Sequence, residues 1–257
     1  MLTIKAGSCI IYQFESLKAP GIIQGVFSRT GGVSQGPWAS LNLGGTVGDD
    51  PDAVERNLEI VVSTLGYTTD HLVQVRQIHS STVILAERPM DAEFKGDGIA
   101  TDQPGLALLM RFADCVPLLY FDPVNQAVAI AHAGWKGTLA NVAGQVVRKM
   151  SQAFNSRPED LLVGIGPSIG PDHYQIGTDV ERQVRNLYPE DLKKLLIEED
   201  GKVKLDLWSA NQLNLTKAGV KSIEVSGICT ACNLDHWFSH RGENGATGRF
   251  GAVIGIK

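Results

Sequence analysis

The sequence predicts an α+β fold with mixed sheets, and three observations support this prediction. Short apolar runs bounded by Gly, Pro, Asp or Asn are numerous, few segments carry apolar residues at helical spacing, and strands do not alternate regularly with helices. A doubly wound parallel sheet would require that alternation. No repeat, low-complexity tract or linker rich in Pro and Ser marks a boundary, so residues 1–257 are expected to form one domain.

The predicted strands are short apolar runs that end at turn-forming residues. In chain order they are Gly21–Ser28, Leu72–Val75, Thr82–Ala86, Leu106–Phe112, Pro117–Phe121, Gln126–Ala131, Leu161–Ile165, Ser222–Ser226 and Ala252–Ile256.

Two helices have clear sequence signals. Asp50 and Pro51 supply a cap and a first-turn proline, and apolar residues then recur at helical spacing until Gly66 ends the run. A second stripe with the same period extends from Leu139 to Met150. Further helices are expected near Asp179–Leu187, Glu190–Ile197 and Leu207–Ala218.

Composition and charge exclude several classes of protein. The chain of 257 residues has 23 Lys and Arg against 28 Asp and Glu, a formal net charge of -5, and no basic run that would hold nucleic acid. Residues 1–20 lack the uninterrupted apolar core of a signal peptide, and the apolar runs are shorter than the roughly 20 residues that span a bilayer. We therefore expect a cytoplasmic protein without a nucleic-acid or membrane partner. Its four cysteines are interpreted as core thiols, ligands or nucleophiles.

Two short motifs are weak. Gly166–Gly170 matches the G-x-S-x-G pattern of serine hydrolases. That motif requires a helix to follow at once, but Gly170, Pro171 and Asp172 are turn-forming residues. Cys229 and Cys232 have the spacing of a zinc knuckle, yet no second C-x-x-C pair completes four ligands. The favoured interpretation of this pair is two packing thiols at the end of a strand.

Three residues between Arg76 and Gly137 combine into a more informative pattern. His79, Cys115 and His132 each lie near the predicted end of a strand and together offer two imidazoles and one thiolate. This set, with a fourth position open, is typical of a catalytic zinc site. Each residue alone has an ordinary structural interpretation. Because the three residues lie far apart in sequence, their spacing alone does not prove that they meet.

Several sequence strings, in order, resemble the YfiH family, also called the laccase-domain or polyphenol oxidase family. They are FSRTGGVSQGPWASLNLG, QIHSSTV, GDGIATDQPGLALLMRFADCVPLLY, AVAIAHAGWKG and GIGPSIG. The resemblance extends from about Phe27 to the C-terminal GRFGAVIGI. It implies a single-domain α/β/β/α sandwich, zinc held by His79, Cys115 and His132, and a purine nucleoside substrate. The implied reactions are phosphorolysis of adenosine, inosine and methylthioadenosine, with adenosine deamination; older descriptions of the family assign copper-dependent phenol oxidation.

Phosphorolysis requires an anion clamp and a group that assists the departing purine. The candidates for the clamp are Arg29, Arg76, Lys136 and Arg249, and those for the acid or base are Asp97 and Asp114. Asn42 would orient the ligand or cap a turn. For Arg29 and Lys136 a solvated surface charge is an equal alternative.

The chain departs from the expected family pattern in two places. Asp172, His173, Tyr174 and Gln175 stand where a Cys and a Tyr-Glu pair are expected, and Gly242 follows Arg241 where a second arginine is expected. Either change could weaken the activity or shift it toward another nucleoside.

Three alternatives remain open at the level of sequence. The first is a metal-free hydrolase in which Cys115 is the nucleophile and His132 the base. The second is a copper-dependent phenol oxidase, although six histidines in the chain, with only two in the motif, are too few for several coppers. The third is a nucleoside-binding protein without catalysis. A small-molecule substrate and a monomer or weak homodimer are expected.

Overall fold

Two six-stranded sheets form the centre of the protein, which a computed structural model describes over residues 1–90 and 93–257. The first sheet contains, in spatial order, β1 (Leu2–Ala6), β2 (Cys9–Gln13), β3 (Ile22–Phe27), β14 (Phe250–Ile256), β7 (Ala107–Phe112) and β4 (Leu72–Val73). The second contains β13 (Ser222–Val225), β10 (Leu162–Ile165), β8 (Val116–Asp122), β9 (Ala127–Ala133), β6 (Gly98–Thr101) and β5 (Val83–Leu85). A separate hairpin pairs β11 (Leu196–Glu199) with β12 (Lys202–Leu205).

Both large sheets are mixed, as predicted. In the first, β4 runs parallel to β7 while the other pairs are antiparallel; in the second, β5 with β6 and β10 with β13 are the parallel pairs. The helices are α1 (Pro51–Thr64), α2 (Trp135–Leu139), α3 (Val142–Phe154), α4 (Thr178–Leu187), α5 (Leu192–Leu195) and α6 (Leu207–Lys217).

Alternating side chains along the strands give three apolar layers between four structural layers. Leu119 and Val128 of the second sheet pack with Leu108 and Ile254 of the first, in the core between the sheets. The intervening residues face outward, where α3 and α6 cover the second sheet and α1 covers the first. The order helix, sheet, sheet, helix is the α/β/β/α sandwich that the family resemblance implies.

The nine predicted strands are all present, with small differences at their ends. β1, β2, β6, β11 and β12 are not predicted from the sequence. The helix expected over Glu190–Ile197 is present as α5 but was wrong in its last two residues, because Leu196 and Ile197 pair with Leu205 and Lys204 in the hairpin. The stripe from Leu139 to Met150 is divided between two helices, since Asn141 adopts a left-handed conformation and its side chain caps α3.

The rejection of a serine hydrolase motif at Gly166–Gly170 agrees with the structure. No helix of the described chain begins after β10 until Thr178. Ser168 is fully buried, and its hydroxyl accepts a hydrogen bond from the indole of Trp208 at 2.6 Å. Within residues 1–90 and 93–257, no helix has both the length and the apolar character needed to cross a membrane.

Candidate metal centre and active site

The three predicted metal ligands converge at one end of the interface between the sheets. His132 is the penultimate residue of β9, Cys115 lies in the connection from β7 to β8, and His79 lies in the loop between β4 and β5. One ligand atom from each residue lies within 4.8 Å of the other two. The imidazole rings of His79 and His132 meet edge to face, with centroids 4.9 Å apart. Sheet pairing therefore joins residues that are distant in sequence.

Asp97, just before β6, holds both imidazole-bearing segments. Its carboxylate accepts a hydrogen bond from His132 Nδ1 at 2.9 Å and another from the backbone N–H of His79 at 3.0 Å. It also accepts bonds from the backbone N–H groups of Ile78 and Ser80 and from the Ser80 hydroxyl. Because Nδ1 of His132 is engaged by Asp97, Nε2 is left as the atom for a metal.

Cys115 and His132 favour opposite charges in this arrangement. Burial by itself raises the pKa of the Cys115 thiol, but the neighbouring His132 and His79 outweigh it and hold the pKa below its ordinary value. Burial by itself lowers the pKa of His132, whereas Cys115 and Asp97 together raise it. The pKa of Asp97 is lowered, although burial opposes this, because His132 and Ser80 stabilise the carboxylate. Without a metal, these residues favour a thiolate beside an imidazolium.

The donor set fits a zinc-type ion on two grounds. Two imidazoles and one thiolate match the ligands that zinc prefers, and among the described residues this group has three members, as in zinc sites that keep one position for substrate or water. Gly134 lies directly against the centre, where a Cβ would stand 2.8 Å from Cys115 Sγ and 3.3 Å from His79 Cδ2. The backbone at Gly134 thus leaves room that any larger residue would remove.

Asp114 precedes Cys115, and both of its carboxylate oxygens accept hydrogen bonds. One carboxylate oxygen accepts bonds from the hydroxyls of Thr230 at 2.7 Å and Ser239 at 2.6 Å. The other accepts the backbone N–H of Arg241 at 2.6 Å. These contacts give both aspartates a positioning role, while the acid or base role expected for them stays a prediction.

Arg249 and Asn42 lie close to each other beside the centre. Asn42 is fully buried; its Oδ1 accepts the backbone N–H of Arg249 at 2.8 Å and its Nδ2 donates to Asp49. Burial lowers the pKa of Arg249, and the negative charges of Cys115 and Asp114 act in the opposite direction. Among the predicted clamp residues, Arg249 therefore lies close enough to Cys115 and Asp114 for their charges to act on it.

The other predicted clamp residues occupy different environments. The guanidinium of Arg29 bonds to the carbonyls of Ala39 and Leu234, pairs with Glu243 at 2.9 Å and stacks on a phenylalanine. Lys136 is exposed, with its ammonium 5.6 Å from the ring of Trp135. Arg76 is exposed in the loop that carries His79. Substrate contacts by these three residues stay predictions.

Comparison with known proteins shows which family the chain belongs to. Residues 23–257 match the family model described as multi-copper polyphenol oxidoreductase laccase. The chain is a member of the laccase-domain family. A relative from Deinococcus radiodurans named purine nucleoside phosphorylase is 37% identical over 242 residues, covering 93% of this chain and 92% of that protein.

Two solved structures have the same fold as this laccase-domain protein. YlmD from Geobacillus stearothermophilus superposes with a TM-score of 0.91 at 33% identity, covering 99% of this chain and 98% of that one. YfiH from Bacillus licheniformis gives a TM-score of 0.90 at 34% identity, covering 98% and 97%. The family recognised from the sequence strings and its mixed α/β fold are thereby confirmed.

Two residues near the ligand set were not predicted from the sequence. Tyr174 lies near Cys115, and burial together with the charge of Cys115 raises its pKa well above the ordinary range, so its hydroxyl stays protonated. Arg241 places its guanidinium 5.4 Å from the Tyr174 ring and donates to the carbonyls of His173 and Gln175. The departures from the family pattern at Asp172–Gln175 and Gly242 are adjacent to these residues. No local pattern could reveal this proximity, because it depends on the packing of two distant loops.

Proposed function

We propose that this laccase-domain protein is a zinc-dependent purine nucleoside phosphorylase. Adenosine, inosine and methylthioadenosine are the proposed substrates, with phosphate as the second substrate and adenosine deamination as a side activity. The observation that carries the proposal is the convergence of His79, Cys115 and His132 around Asp97, in a chain whose relatives are named purine nucleoside phosphorylase. The donor set also binds copper well by the usual affinity order, so copper is the alternative ion.

His79, Cys115 and His132 would hold the ion, and Asp97 would keep Nε2 of His132 directed at it. A bound zinc ion would supply Lewis acidity and lower the pKa of a water molecule toward about 7. The five donors that contact Asp97, together with its lowered pKa, favour the ionised carboxylate. Its contribution is to fix the position of the ligands.

Phosphorolysis requires a phosphate oxygen to form a bond to the anomeric carbon while the glycosidic bond breaks. The electron pair of that bond passes to the purine, which must take up a proton. Arg249 is the proposed phosphate contact, because it carries positive charge beside Cys115 and Asp114. The Tyr174 hydroxyl, which remains protonated near Cys115, is available as a hydrogen-bond donor to the purine.

The test is chromatographic analysis of adenosine incubated with purified protein, with and without phosphate. We expect adenine and ribose 1-phosphate only when phosphate is present, and inosine as a minor product in either case. The Cys115→Ser variant should lose both zinc and activity, while Cys9→Ser, at a buried cysteine remote from the ligand set, serves as the matched control. Intact adenosine, inosine and methylthioadenosine in the presence of phosphate would instead favour a nucleoside-binding protein without catalysis.

One observation favours a second candidate function, a metal-free hydrolase with a Cys-His pair. His132 lowers the pKa of the Cys115 thiol, and Cys115 raises the pKa of the His132 imidazole. A thiolate beside an imidazolium is the form of an activated cysteine nucleophile. Such an enzyme does not need His79. Full activity of His79→Ala after metal removal would support this candidate, whereas loss of zinc and activity together supports the phosphorylase.

We further propose a cytoplasmic protein that acts as a monomer or weak homodimer and forms one domain over residues 1–257. Its expected partners are small molecules, namely a purine nucleoside and phosphate, with no nucleic-acid or membrane partner. Size-exclusion chromatography over a range of protein concentrations tests the oligomeric state.

A further inference from the structure

A second group of metal-ligating side chains lies outside the candidate active site. Asp172 and His173 follow β10 in the chain, and Cys229 and Cys232 follow β13, which pairs with β10 in parallel. One ligand atom from each of the four residues lies within 4.8 Å of the other three. The C-x-x-C pair, for which the sequence suggested only packing, thus acquires two further ligands from a loop about 60 residues earlier.

The separations that involve a sulfur atom match a tetrahedral centre, whereas His173 Nδ1 and Asp172 Oδ2 lie closer together, at hydrogen-bond distance. Cys232 Sγ lies 3.5 Å from His173 Nδ1 and 3.6 Å from an Asp172 oxygen. Cys229 Sγ lies 3.8 Å from His173 Nδ1, and His173 Nδ1 lies 3.0 Å from Asp172 Oδ2. Bonds of about 2.3 Å to sulfur and about 2.0–2.1 Å to nitrogen or oxygen place tetrahedral ligands roughly 3.3–3.8 Å apart. An ordinary surface ion pair between Asp172 and His173 would not require two sulfur atoms at these distances.

The backbone around this group is arranged for close approach of its ligands. The backbone N–H of Gly170 donates to Cys229 Sγ at 3.1 Å, which fixes the position of that sulfur. A Cβ at Gly170 would stand 2.6 Å from an Asp172 oxygen and 3.2 Å from Cys229 Sγ, so a larger residue would separate them. Ser168 and Cys229 form an isolated bridge, which fixes the two arms relative to each other.

We propose that Asp172, His173, Cys229 and Cys232 bind a zinc ion in a closed structural site. Four protein ligands leave no position for substrate, which distinguishes this site from the three-ligand centre. Cys229 is buried and the other three residues are exposed, so an ion can enter from solvent. The ion ties the segment that carries Tyr174 to the turn after β13, and thereby fixes the position of Tyr174 near Cys115. The proposal does not depend on the phosphorylase activity.

The experiment measures zinc per chain in full-length protein purified under reducing conditions and gel-filtered into metal-free buffer. We compare wild type, Cys115→Ser, Cys232→Ser, His173→Ala and the double variant Cys115→Ser Cys232→Ser. His240→Ala is the matched control, because His240 is also exposed and lies outside both ligand groups. The proposal predicts two ions in wild type and the control, one in each single variant and none in the double variant.

Cobalt substitution in Cys115→Ser provides a second measurement. Two thiolates on a tetrahedral cobalt ion give strong sulfur-to-metal charge-transfer absorption, and His173→Ala in the same background should abolish it. Far-ultraviolet circular dichroism checks that each variant is folded.

Three results would overturn the inference. The first is a Cys232→Ser protein that retains as many ions as wild type. The second is a wild-type protein with a single ion that is lost entirely in Cys115→Ser. The third is a Cys229–Cys232 disulfide in protein kept under reducing conditions, detected by thiol counting and mass. Failure of the active-site proposal gives a different result, because Cys115→Ser would then hold as much zinc as wild type.

Discussion

Asp97→Asn is the substitution that tests the arrangement of the active site most directly. The carboxylate accepts five hydrogen bonds, two at Oδ1 and three at Oδ2. An asparagine side chain is nearly the same size but replaces one oxygen with a group that only donates. Whichever orientation it takes, at least two donors lose their acceptor, and because most of these donors are only partly buried we expect a cost of about 1–3 kcal/mol of folding free energy.

The same substitution should weaken zinc binding. Where the amide nitrogen faces His132, the imidazole must accept at Nδ1 and carry its proton at Nε2, which removes the lone pair that a metal needs. Loss of such a supporting hydrogen bond reduces metal affinity by about 10–100-fold. Zinc affinity is measured by competition with a chromophoric chelator, and folding free energy by urea unfolding of metal-stripped protein.

Asp102→Asn is the matched control for this experiment. Asp102 follows β6, whereas Asp97 precedes it, and Asp102 is exposed with one hydrogen bond, from the Gln103 side chain. It should change neither zinc affinity nor stability by a measurable amount. A zinc affinity of Asp97→Asn equal to that of wild type would refute the view that Asp97 positions the ligands.

Three further predictions concern other parts of the chain. Gly134→Ala should destabilise the metal-free protein by about 1–3 kcal/mol and weaken zinc binding, since its Cβ would meet Cys115 Sγ at 2.8 Å; unchanged zinc titration would contradict this. Asp122→Asn should cost about 1–3 kcal/mol at pH 7, because Asp122 accepts two backbone N–H bonds and the Asn125 amide. Burial opposes ionisation of Asp122, but its hydrogen bonds hold the pKa below 3.8. The stabilisation that the ionised carboxylate provides is therefore present above pH 3.8 and is lost as the pH falls below that value. Urea unfolding at pH 7 and pH 3 should show the gap between wild type and variant narrowing in acid. Asn57→Ala should cost about 3 kcal/mol by urea unfolding, because this buried side chain makes four hydrogen bonds to the 33–42 loop; a loss under about 1 kcal/mol would contradict that role.

Elements that depend on interactions between neighbouring residues, such as a helix cap or an apolar run, could be predicted from the sequence. Asp50 and Pro51 begin α1 where the sequence places it, because a capping carboxylate and a proline at the first position act within one turn. The strands at Leu106–Phe112 and Gln126–Ala131 were evident from continuous apolar runs, which suit strands covered on both faces. The helix predicted over Glu190–Ile197 extends too far, because the preference of Leu196 and Ile197 for the hairpin depends on partners that lie several residues away.

The residue types of the candidate site were visible in the chain, and their meeting was decided by the tertiary structure. Two imidazoles and a thiolate suggested a zinc ligand set, but only the pairing of β6 with β9 brings Asp97 against His132. For the same reason the sequence did not predict that Asp172 and His173 meet Cys229 and Cys232, which follows from the parallel pairing of β10 and β13. Caps and apolar periodicity act over a few neighbouring residues and can be recognised from one chain segment. A ligand geometry depends on the register of distant strands, which folding fixes through the packing of the whole core.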